Sequence, residues 1–89
     1  MSGKKDPEWR RELGHISCAV FAHENAGENG TVIISRSVHC QRRYYDKNAE
    51  AWKWSGYLSH ADVGAAISLL TAAHQYLIDV EQSTATDTF

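Results

Sequence analysis

The chain has 89 residues, 43% of them hydrophobic and 22% charged, with a formal net charge of −2. A domain of this size hides only about 60% of its unfolded surface, so one small domain is expected and self-association would add burial. These values fit a globular protein and exclude a binder driven by a large positive charge, and no apolar run is expected to reach the ~20 residues of a membrane span.

Met1-Ser2-Gly3-Lys4-Lys5-Asp6-Pro7 carries charge with no apolar stretch behind it. That is not the pattern of a secretory signal, and the expected location is the cytoplasm. Residues 1–14 read as a flexible polar arm, in which Trp9 and Leu13 allow one helical turn between Pro7 and Gly14. A single α+β domain is expected over residues 15–81.

From His15 to Glu24, Ile16, Cys18, Val20 and Ala22 alternate with His15, Ser17, Ala19, Phe21 and His23. This predicts a strand with one apolar face. Asn25 to Gly30 is a turn, because Asn29-Gly30 tolerates positive φ at both residues. A second strand runs from Thr31 to Tyr45 and is long enough that a bend, bulge or break is expected near Arg36 to Cys40. Asp46 to Glu50 forms the next turn and Ala51 to Leu58 a third strand, with Trp52 and Trp54 on one parity and Lys53, Ser55 and Tyr57 on the other.

Ser59 caps the long helix, with Asp62 three residues on in a capping-box position. Two apolar stripes follow: Ala66, Ile67, Leu70, Ala73 and Leu77, and beside them Ala65, Leu69, Ala72, Tyr76 and Val80. One stripe covers the sheet and the other is available to a second copy, so Leu69, Tyr76 and Val80 of the second stripe, with Ala73 at the border of the first, are candidate homodimer contacts. Residues 82–89 are expected to be a disordered Ser/Thr-rich tail. The fold class is therefore α+β: a bent antiparallel meander of three to four strands with one C-terminal helix on one face.

Chemistry is concentrated in Arg42 to Trp54. That segment holds Tyr44, Tyr45, Trp52 and Trp54 together with Arg42, Arg43, Lys47 and Lys53. Aromatic rings interleaved with cations on a ribbon are the material for stacking bases and tracking phosphates of a single strand. Charge is also polarised: Arg36 lies in the same half of the chain, whereas residues 59–89 contain no Lys or Arg. The alternative is that the tryptophans form core under the helix. In that case Lys53 and Tyr57 line the open face beside one arginine of the Arg42/Arg43 pair.

No Gly-rich phosphate loop, nucleophile elbow or Cys-x-x-Cys is present, so neither catalysis, a cofactor nor a small-molecule substrate is expected. His15 and Cys18 fall on opposite faces, which works against a zinc site on the first two strands. Cys18 and Cys40 sit on separate strands and read as small buried thiols in a reducing compartment.

Ser35-Arg36, the run Arg43-Tyr44-Tyr45-Asp46-Lys47-Asn48-Ala49-Glu50, Trp52-Lys53 and Leu58-Ser59 before an Ala/Leu-rich helix resemble a family of small bacterial proteins. Those look like the single-stranded-DNA-binding domain of transcriptional coactivators of the positive-cofactor-four type. The resemblance covers about residues 15 to 80. It implies a strongly bent sheet, dimerisation through the helix and single-stranded DNA, or RNA, on the open β-surface, in support of transcription or replication. Carried over by position, the binding residues are Arg36, Arg42, Arg43, Lys47, Trp52 and Lys53. The competing expectation is a protein-interaction module that touches no nucleic acid.

Overall fold

The structure is a computed structural model that describes residues 6–87, with side chains as far as Gln82. In chain order it contains β1 (Trp9–Leu13), β2 (Ile16–Ala26), β3 (Val32–Asp46), β4 (Ala51–Ser55) and α1 (Val63–Asp87). The strands form one antiparallel sheet in the order β1-β2-β3-β4, and α1 packs on one face of it. This is the expected α+β meander with four strands.

β1 corrects the expectation of a polar arm over its length. Leu13 pairs with Ile16 across a two-residue loop, in which Gly14 has φ 62. A glycine with positive φ at the first central position suits a tight hairpin whose twist matches its strands. Trp9 then stacks on Tyr76 of α1 with ring centroids 5.9 Å apart. Just before the strand, Glu8 accepts from Arg36 Nε at 2.5 Å and from Tyr76 Oη at 2.8 Å. Residues 1–5 of the expected arm lie outside the described residues.

β3 also departs from expectation, because it runs unbroken. Its pairing with β2 keeps one register from Ile16↔Arg42 to Ala26↔Val32, with no bulge between Arg36 and Cys40. The long strand is sustained because β2 partners its first part and β4 takes over from Arg42 to Asp46. At the hairpin tip, Asn29 and Gly30 have φ 59 and 78, the positive values their sequence permits. The second turn is fixed by Asp46 Oδ1, which accepts from the backbone of Asn48 and Ala49 at 2.9 and 3.2 Å.

The core is small. Ile16, Cys18 and Val20 of β2 meet Ala66, Leu69 and Ala73 of α1, with Trp9, Cys40, Tyr76 and Leu77 around them. The alanines let the helix approach the sheet closely, while the branched side chains fill the space between. Ser59 starts the helix as expected: its N–H and Oγ–H both donate to Asp62 Oδ2, at 3.1 and 2.7 Å. These bonds hold the Asp62 carboxyl below its ordinary pKa, with Arg42 as a smaller contribution.

The helix uses its stripes differently from the expectation. Leu69 and Ala73, candidate dimer contacts by sequence, are buried in the chain's own core. Tyr76 is engaged with Trp9 and Glu8, and Val80 is half-buried. The outward apolar residues are Ile67 and Leu70, 60% and 43% exposed, with Val63 and Ile78. α1 also continues to Asp87, into the segment expected to be a disordered tail. Residues His60–Gln82 are long and apolar enough to cross a bilayer, with a mean hydropathy of 1.3, which the sequence reading did not expect. One side of that segment is committed to the sheet, and Asp62, His74, Asp79 and Glu81 interrupt it.

Cys18 and Cys40 are directly opposite each other. The bonds from Arg43 N to His15 O and from Gly27 N to Thr31 O, both 2.8 Å, bracket the ladder and set its alternation. Cys18 and Cys40 fall on a non-hydrogen-bonded pair, the type with Cα atoms roughly 4.5 Å apart and side chains closest together. Both thiols are free, and burial, with Cys40 beside it, pushes the Cys18 thiol up to about 11.

Glu8 gives the fold a signed pH dependence. The hydrogen bond from Arg36, followed by that from Tyr76, holds its carboxyl below the ordinary value of 4.5. A depressed native pKa adds stability above the unfolded value, and that stability is lost as pH falls through the native value. Urea midpoints measured between about pH 6 and about pH 3 should fall less steeply for Glu8→Gln than for the parent chain. Equal slopes would show that Glu8 does not tie β1 to the core.

Candidate nucleic-acid interface

Alternation along each strand decides which side chains reach the uncovered face. Because Ile16, Cys18 and Val20 point at α1, their β3 partners Arg42, Cys40 and Val38 do so too. The opposite face carries Arg10 and Glu12 of β1, Ser17, Ala19 and Phe21 of β2, and His39, Gln41, Arg43 and Tyr45 of β3. Trp52 and Trp54 of β4 complete it, opposite Tyr45 and Arg43. His15, in the β1–β2 turn, joins them by pairing with Arg43.

Trp52 and Trp54 are 53% and 44% exposed, so the open alternative of a tryptophan core is resolved in favour of the free face. Arg43 lies with its guanidinium carbon 4.3 Å from the Trp52 ring centre. Tyr45 meets the same ring edge-to-face at 5.4 Å, and the His15 ring is stacked at 6.4 Å. Arg10 lies 5.8 Å from the centre of Trp54. Their strands are three spacings apart, about 14 Å in a flat sheet, so the two side chains reach inward across a hollow. Among the described residues Arg43 has no carboxylate partner.

The six residues carried over from the resemblance do not converge. Arg43 and Trp52 share the open face. Arg36, Arg42 and Lys53 lie on the helix side, each with an acid: Glu8 at 2.5 Å, Asp62 at 3.5 Å and Asp46 at 2.8 Å. The hydrogen bond between Lys53 and Asp46 raises the pKa of the amine and lowers that of the carboxyl. Lys47 is exposed in the turn between β3 and β4. Trp54, Tyr45, His15 and Arg10 join the cluster although they were not among the six. Trp54 was legible from its parity with Trp52. Arg10 required β1 to be recognised as a strand.

Charge on the open face is thus modest. Arg10 and Arg43 are offset by Glu12, whose Oε2 accepts from Arg10 Nη2 at 2.6 Å. Among the described residues no group of three His, Cys, Asp or Glu side chains is placed to hold a metal ion. What the face offers is rings, one free guanidinium and polar side chains, an arrangement suited to stacking planar groups.

Comparison with protein-family models, curated proteins and solved structures finds no match.

Proposed function

We propose that the open sheet face binds single-stranded nucleic acid, DNA or RNA, by stacking bases on Trp52 and Trp54. The observation that carries this reading is the pair of exposed indoles on one strand face beside the unpaired Arg43. Alternate residues on a strand recur every ~7 Å, a spacing an extended strand with splayed bases can follow. Arg43 and Lys47 supply phosphate contacts, whereas Arg10, Arg36, Arg42 and Lys53 stay committed to their acids and Arg11 lies over Trp9. Affinity therefore comes mainly from stacking, and roughly one or two phosphates are neutralised, giving a shallow salt dependence.

The reading includes a homodimer. The radius of gyration is 16.4 Å and the shortest dimension 15 Å, whereas a compact chain of this length has a radius of about 12 Å. Ile67 and Leu70 on the outer side of α1 are uncovered, as are Val32 and Ile34 on the helix side of the β2–β3 ribbon. A second copy placed there buries apolar surface that one chain leaves in water, and keeps both open sheet faces free.

The near balance of charge on the open face favours a second reading, a peptide-docking surface with no nucleic-acid role. Titration with a single-stranded oligonucleotide at low salt separates the two. Tryptophan quenching is expected, and Trp54→Ala should weaken binding by about 5- to 100-fold, whereas Lys53→Ala leaves it little changed. An absence of both quenching and a mobility shift would leave only the peptide-docking reading.

Dimerisation is tested separately by sedimentation. Ile67→Asp or Leu70→Asp should give a folded chain of monomer mass, while Leu69→Asp should unfold it. Dimer mass retained in the Ile67→Asp, Leu70→Asp double variant would refute this interface.

A further inference from the structure

The open face contains a hollow of about 280 Å³, bordered by Glu12, His15, Ser17, Arg43 and Trp54. Its chemistry is more specific than phosphate binding requires. A carboxylate facing a polyanion repels it, so Glu12 calls for another explanation than backbone attraction.

Glu12 and Arg43 stand on β1 and β3, on either side of β2. Glu12 is opposite Ser17, and Arg43 is bonded to His15 through the backbone at 2.8 Å. Two strand spacings across and two residues along the strands separate them, about 12 Å between backbones, with Ser17 level with Glu12 and His15 level with Arg43. That gap accepts a flat bicyclic ring with a hydrogen bond at each end. Trp54 forms one wall and offers a ring face for stacking. Arg10 holds Oε2 of Glu12 at 2.6 Å, which fixes the carboxylate and leaves Oε1 and the second lone pair of Oε2 available for two donors.

An ionised carboxylate only accepts hydrogen bonds, and a guanidinium only donates them. Guanine alone among the bases pairs two adjacent donors, N1–H and the 2-amino group, with two adjacent acceptors, O6 and N7. Adenine and cytosine place an acceptor beside the exocyclic amine. Thymine and uracil flank their single N–H with two carbonyls. Each of those sets an acceptor against a Glu12 oxygen.

We propose that this hollow is a guanine subsite. Glu12 accepts from N1–H and the 2-amino group, Trp54 stacks on the ring, and Arg43 donates to O6 and N7 wherever the strand places a guanine here, exchanging its phosphate contact for the base edge. The inference rests on the open face being the single-strand surface and adds a base preference to it.

The test compares thymidine strands, thymidine strands carrying isolated guanines, and the same strands with inosine, which lacks the 2-amino group. Free GMP serves as the competitor. The guanine strand should bind the parent chain about tenfold or more tightly than the thymidine strand. Inosine should erase that preference, as should Glu12→Gln, and GMP should bind much more weakly than the guanine strand. Equal affinity for all strands would overturn the guanine subsite and leave single-strand binding intact. GMP as tight as the guanine strand would replace the strand subsite with a free-nucleotide site. Binding of none of these ligands would overturn this inference and the reading beneath it.

Discussion

The packing of α1 on β2 is the contact on which the rest of the molecule depends. Ala66, Leu69 and Ala73 cover Ile16, Cys18 and Val20, and that choice of face propagates through every strand pair. Antiparallel partners share a side, so fixing three residues of β2 sends Arg36, Arg42 and Lys53 toward the helix side. It sends Arg43, Trp52 and Trp54 to the open side. A one-residue slip would exchange the two sets. The continuous β2–β3 register is therefore a condition of the open-face cluster as much as of folding.

That division is how a chain of net charge −2 leaves exposed rings beside a guanidinium that has no acid among the described residues, the face proposed for a single strand. Cations on the helix side do structural work. Arg36 ties Glu8, and through it Tyr76, to the sheet; Arg42 meets Asp62 at the start of the helix; Lys53 closes the β3–β4 hairpin on Asp46. Rings are left for the open side, with Arg43 as the uncommitted cation. Stacking is insensitive to net charge, whereas counterion release is not, so the proposed binding depends on the first more than on the second.

Alternation and capping made much of this legible in the sequence. The apolar parity of Ile16, Cys18 and Val20, the Asn29-Gly30 turn and the Ser59–Asp62 cap all correspond to what the structure contains. β1 was hidden because its only apolar residues are Trp9 and Leu13 and its pairing depends on a partner strand. The outer face of α1 was misassigned for a related reason. Both stripes are rich in Ala and Leu, and the sequence does not say which one meets the sheet. Here Trp9 decides, since its stacking on Tyr76 turns the Leu69, Ala73 and Tyr76 side inward. Partners of the cations were invisible to sequence because Glu8 and Arg36, like Arg42 and Asp62, are distant along the chain.

The central claim is that the exposed indoles of β4, and not the core-facing indole of β1, receive the ligand. Proton–nitrogen correlation spectra resolve the three tryptophan side-chain N–H signals, and single Trp→Phe variants assign them. On adding a single-stranded oligonucleotide at low salt, the Trp52 and Trp54 signals are expected to shift in step with binding while that of Trp9 stays in place. A titration that moves Trp9 and leaves Trp52 and Trp54 unchanged would contradict the account.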